Sequence, residues 1–205
     1  MLIRDPITET AQRVNQRNQA LIQSVTRSDF YEALRRGDAF DVELNDVAIT
    51  SAAEIGLLYI LNTNTKSDLY IYALYLSVGT STGGLGVANF VNLALYINPT
   101  GGTLISGGTA LTPTNRRAGS GKTAQATVKG NTGVLTVTGG TRLFKHELVR
   151  SFPFNISPFI VDVLLGPNQS MAVTYTPETG NTSQVVNLGA AFYYVPTDQF
   201  SDENV

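Results

Sequence analysis

The segment Ala118-Gly119-Ser120-Gly121-Lys122-Thr123-Ala124 contains a glycine followed by Lys and Thr, the combination that elsewhere cradles phosphate. A phosphate loop of that kind needs G-x-x-x-x-G-K-[ST] running into a helix N-terminus, whose free N–H groups hold the anion. Here the first glycine position falls on Arg116, and a strand is expected from 123 onward, so nucleotide binding is not expected. His146 is the single histidine. No cluster of histidines can hold a metal, and any Ser-His-Asp arrangement would rest on this residue alone; a strand residue with one ring nitrogen satisfied competes with a general base of a small hydrolase. Asp41 and Glu43 are the closest carboxylates of the β-rich part, but they alternate with Phe40, Val42 and Leu44, which suits a wet strand face better than acid–base work. No D-x-D-x-D-G run offers a calcium loop, and with no cysteine there is no thiolate site or disulfide. Asn155-Ile156-Ser157 and Asn181-Thr182-Ser183 match glycosylation acceptors without a secretory signal to give them meaning. The expectation is a protein without catalytic residues, cofactor or metal, and therefore not an enzyme.

A chain of 205 residues can bury roughly 70% of its unfolded surface and needs no covalent staples. The start MLIRDPITET lacks an apolar signal core, and no window reaches the length of uncharged apolar residues that a membrane span requires, so synthesis in a cytoplasm is expected. Charged residues make up 15% of the chain and the net charge is −2, which gives no bulk drive toward nucleic acid or an anionic membrane. The cations are unevenly placed: six of the fourteen Lys and Arg stand in the first 36 residues, and Asp38, Asp41, Glu43, Asp46 and Glu54 follow. Either this is a solvated helix followed by a solvated strand, or an arm that docks on an acidic surface.

Three apolar runs between Ile55 and Ile97 organise the rest. The middle one, LYIYALYLSV, places Leu69, Ile71, Ala73 and Tyr75 on one face and Tyr70, Tyr72, Leu74, Leu76 and Val78 on the other. A strand apolar on both sides must be covered twice, by its own core and by a second layer or another subunit. On this reasoning Tyr70, Tyr72 and Leu74 are candidate subunit-interface residues.

Upstream, residues 6–26 are expected to be helical, with Asp5 able to cap and Pro6 suited to the first helical position. Ile7, Val14, Leu21 and Val25, with Asn18 as a polar seam position, make a narrow apolar stripe that would pair with a copy or a partner, or lie along its own domain. A second helix is expected over 29–36, capped by Ser28 and stopped by Gly37. The division expected is a helical arm over 1–37, a β-domain over 38–196 and an acidic tail over 197–205.

The β-domain reads as short strands separated by turns: 39–45, 47–51, 55–62, 68–78, 88–97, 123–129, 132–138, 143–150, 157–165, 170–176 and 184–195. Many antiparallel strands without intervening helices imply a mainly β chain, an antiparallel sandwich of jelly-roll type ahead of an immunoglobulin-like one. Asn98 to Lys122, with six glycines, is expected to be one long irregular insertion. Its Arg116, Arg117 and Lys122 form a basic tip that is either solvated or in contact with a partner.

The polar N-terminal arm, the segment FYEALRRGDAFDVE, the Gly- and Thr-rich middle and the close LLGPNQSMAVTYTPETGNTSQVVNLGAAFYY resemble structural proteins of tailed bacteriophages, most of all capsid decoration or cement proteins. The resemblance implies a non-enzymatic virion component, made in the host cytoplasm. It would sit as a jelly-roll-like dimer or trimer on the major capsid protein or another virion protein, without nucleic acid or membrane. A tail, baseplate or fibre component that recognises a host-surface glycan is the alternative.

Overall fold

The computed structural model describes residues 2–4, 11–13, 28–49, 52–80, 90–98, 105–149, 157–177 and 184–196. In chain order the elements are β1 (Leu2–Arg4), β2 (Ala11–Arg13), α1 (Asp29–Arg36), β3 (Ala39–Ile49), β4 (Ile55–Asn62), β5 (Ser67–Thr80), β6 (Phe90–Ile97) and β7 (Ile105–Leu111). Then follow β8 (Thr114–Asn115), β9 (Ala126–Val137), β10 (Thr141–Val149), β11 (Ser157–Leu165), β12 (Ser170–Thr176) and β13 (Gln184–Pro196).

The strands form a six-stranded sheet in the order β10-β6-β12-β4-β9-β7 and a five-stranded sheet in the order β11-β5-β13-β3-β8. Successive strands β3, β4, β5 and β6 alternate between the two sheets, and so do β10, β11, β12 and β13. The inner orders β11-β5-β13-β3 and β10-β6-β12-β4, with every pairing antiparallel, are the two interlocked Greek keys of a jelly roll. The expected fold class is therefore the observed one. Between the sheets lies one apolar core, with Phe40, Leu44, Leu58, Ile60, Leu93, Val173, Tyr175 and Phe192 at its centre.

The region 98–122, expected to be irregular throughout, carries β7 and β8. β7 extends the six-stranded sheet by pairing with β9, and β8 extends the other by pairing with β3. Ile105-Ser-Gly-Gly-Thr-Ala-Leu lacks an apolar alternation because Gly107 and Gly108 (φ 81° and 78°) turn the chain through a register break. The expected pair 123–129 and 132–138 is one strand, β9. The pair 39–45 and 47–51 is also one strand, with a bulge at Asp46 (φ 56°), whose N–H donates to Asn187 Oδ1 at 2.7 Å.

The helix expected over 6–26 is contradicted at 11–13, which form β2 and pair with β1, Leu2 opposite Arg13. The rest of that helix lies outside the described residues. Its narrow seam explains the difference, since a helix with little apolar area to bury is marginal by itself. The acidic tail 197–205 also lies outside the described residues.

The helix expected over 29–36 is α1. The Ser28 hydroxyl accepts from the Tyr31 N–H at 3.3 Å, and Gly37 closes the helix in the left-handed conformation (φ 76°). The N–H groups of Gly37 and Asp38 donate back to Leu34 and Ala33. α1 is not part of a separate arm, because Ala33 is fully buried and Phe30 and Leu34 pack with Tyr70, Tyr72, Tyr193 and Val195 of the five-stranded sheet. The domain body therefore begins at α1 and not at residue 38. A Cβ on Gly37 would lie 2.5 Å from Ser120 Oγ. Gly37→Val is expected to cost about 2 kcal/mol, from the positive φ and the collision together, read as a lower melting temperature in thermal denaturation.

Candidate functional site

Strand β5 was expected to be apolar on both faces along its whole length, and the structure divides it. Its register shifts against β13 between Ile71 and Ala73, and against β11 at the same place, where Asp162 has φ 45°. Tyr72 is the extra residue. A one-residue insertion reverses which side each later residue faces. Leu69 and Ile71 therefore point into the core before the bulge, and Leu74 and Leu76 after it. Leu74 is 0% exposed between the sheets, so its placement on an outer interface is corrected. Tyr70 and Tyr72 do face outward, and they are covered by the chain's own α1.

That covering is an aromatic cluster under a cation. The Phe30 ring lies 4.8 Å from that of Tyr72 and 5.8 Å from that of Tyr193, and Tyr70 lies 5.0 Å from Tyr193. The Arg116 guanidinium stands 5.3 Å from the Phe30 ring centre, pairs with Asp41 at 2.7 Å and donates to the Tyr72 hydroxyl. Arg117 donates to the Arg35 carbonyl at 2.6 Å, a cation at the C-terminal end of α1 where the helix dipole favours it. Lys122 pairs with Asp38 at 2.6 Å, and Asn115 donates to the Gly37 carbonyl at 2.8 Å. All three members of the basic tip are thus solvent-exposed yet tied to their own domain. Lys122 leads toward strand β9 and not toward a helix.

Burial raises the phenol pKa of Tyr70 to about 12, with the Asp162 carboxylate that accepts its proton adding to the effect. Burial likewise pushes Tyr72 up to about 12, against the pull of Arg116. Both folded values stand above the ordinary value of 10.0, so the stability these phenols contribute is complete below that pH and is lost as pH rises toward about 12. Alkaline titration is expected to show late phenolate absorbance for these two and a fall in melting temperature across that window.

Beside the cluster, the outer face of β3, β13 and β5 holds an open depression of about 360 Å³. Register places Glu43, Gly189 and Tyr75 in one row across the three strands. Asn187 and Ser77 form the next row, with Asn45 beside them, while Asp41 and Arg116 wall the other side. Burial raises the Asp41 carboxyl above its ordinary range, although Arg116 and Glu43 also act on it, in opposite senses. Among the described residues, the side chains of Glu43, Asn45 and Ser77 make no hydrogen bond to the protein.

Of the residues singled out from sequence, Ile7, Val14, Asn18, Leu21 and Val25 lie outside the described residues, as do Asn155 and Asn181. His146 is exposed on the edge strand β10 with its ring 4.7 Å from that of Phe144. Among the described residues no group of three His, Asp or Glu is placed to hold a metal, and no helix is long and apolar enough to cross a membrane. The depression was not anticipated. The wet face of Asp41, Glu43 and Asn45 is legible in the sequence, but the bulge at Tyr72, which separates Tyr75 from the face of Leu69 and Ile71, is invisible to an alternation count.

No known family model matches the chain, and no curated protein matches it.

Proposed function

We propose that the chain is a non-enzymatic virion structural protein that binds and stabilises the outer surface of a phage capsid. The observation that carries this reading is the jelly-roll strand order, an architecture recurrent in viral coats. Fold alone hosts many functions. The two segments that resemble phage structural proteins meet in space, since 30–43 forms α1 and the start of β3, 164–194 runs from β11 into β13, and β3 pairs with β13 beneath α1. The body closes on its own core, and in this reading the N-terminal segment and the outer surfaces are what partners meet. Leu143 on edge strand β10 and Leu164 on edge strand β11 are 48% and 45% exposed. These edges replace the second face of β5 as the place where a further copy, in a dimer or trimer, or the major capsid protein would be met.

Adding the purified chain back to particles that lack it tests the attachment. The full chain is expected to co-sediment with heads at a fixed ratio. A variant beginning at Ser28 is expected to keep the melting temperature of the body and to stay in the supernatant. Burying the Ile7, Val14 and Leu21 side chains is worth about 5 kcal/mol, a useful share of an interface and little against a core of this size. Equal binding by the shortened variant would remove the N-terminal segment from the attachment.

A further inference from the structure

We infer that the depression on the outer face of β3, β13 and β5 is a binding site for a neutral saccharide. This goes beyond capsid attachment and stands or falls separately from it. Its volume of about 360 Å³ falls within the span of roughly 300–1,000 Å³ typical of small-ligand sites. Its lining combines groups that give hydrogen bonds with groups that take them. Glu43 supplies a carboxylate acceptor, Asn45 and Asn187 supply amides, and Ser77 supplies a hydroxyl. Vicinal hydroxyls of a sugar ring match such a set, because each can donate to the carboxylate and accept from an amide. Asn187 is already fixed by accepting from the Asp46 N–H, so its amide nitrogen is held in place at no further ordering cost.

The floor is suited to the C–H face of a ring. Gly189 lies between Glu43 and Tyr75 in the register, and its missing side chain is what makes the surface concave there. The Tyr75 ring flanks it: a Cβ built on Gly189 would sit 3.5 Å from Tyr75 Cδ2 and 3.6 Å from the Val42 carbonyl oxygen. Charge selects against anions. Arg116 is the cation lining the depression and is neutralised by Asp41 at 2.7 Å, which leaves Glu43 as the uncompensated charge. Phosphorylated, sulfated and sialylated sugars would be repelled.

An array of neutral and sialylated oligosaccharides, followed by calorimetric titration of the best neutral binder, tests the site on the full chain. Two variants accompany it. Gly189→Val fills the floor at ordinary contact distances and places a β-branched residue in a strand, so it is expected to fold with an unchanged melting temperature. Glu43→Gln removes the charge and keeps the shape. Neutral sugars are expected to bind the native chain, with a Kd weakened roughly tenfold or more by either variant. No binding of any neutral sugar, binding confined to sialylated ones, or equal binding by the folded Gly189→Val variant would each overturn the assignment.

Discussion

Leu74→Asp is expected to prevent folding, whereas Tyr72→Asp, two residues away on the same strand, is expected to yield a folded protein. Leu74 is fully buried between the sheets, among core residues that give a carboxylate no partner. An unpaired charge there costs about 5 kcal/mol or more, comparable with the whole stability of a domain. Tyr72 lies on the outer face, half-buried under Phe30, with Arg116 against its hydroxyl. An aspartate at that position removes the aromatic contact with Phe30 but stands near a cation. The expected loss is about 2 kcal/mol, concentrated in the docking of α1. Soluble yield and sheet circular dichroism read the first effect, and hydrogen exchange of residues 29–36 reads the second. Equal damage from both would mean that the face reversal at Tyr72 is not there. Dissociation of an oligomer by Tyr72→Asp with α1 still protected would return this strand to a subunit interface.

The second large effect is expected at Asn62, an amide that is 0% exposed. Its Nδ2 donates to the Ser67 carbonyl at 3.0 Å and to the Leu165 carbonyl at 2.9 Å, and its Oδ1 accepts from the Asn64 N–H at 3.0 Å. Its backbone N–H and carbonyl bind Gln169 and Asn168, so one residue joins the turn between β4 and β5 to the turn between β11 and β12. Asn62→Ala strands two carbonyls and one N–H in or near the interior. The expected cost is about 3 kcal/mol, or a melting temperature lower by roughly 6–12 °C. A drop of less than about 2 °C would show that water satisfies these groups.

How much of this was legible in the sequence depended on whether a residue's environment is set locally. Strands β4, β11 and β12 have the bounds expected for them, because Asn62, Gly166-Pro167-Asn168-Gln169 and Pro177 mark their ends with turn chemistry. α1 was legible for the same reason, with Ser28 and Gly37 as its caps. What failed was set by partners distant in the chain. β7 is a strand because β9 offers it a ladder, and its own Ser106, Gly107, Gly108 and Thr109 carry no apolar pattern. The bulge at Tyr72 exists because β11 and β13 both shift register there. The loop cations Arg116, Arg117 and Lys122 found partners about 75 to 85 residues upstream. The depression joins Glu43, Tyr75 and Gly189, which only strand order makes neighbours.

The proposal that the chain is a capsid-surface protein is tested most directly by electron cryomicroscopy of particles made with and without it. The expected result is regularly spaced density on the head that is large enough for this jelly roll and absent from the deleted particles, with tails and host adsorption intact. A head surface that is the same in both particles, together with lost adsorption, would contradict it.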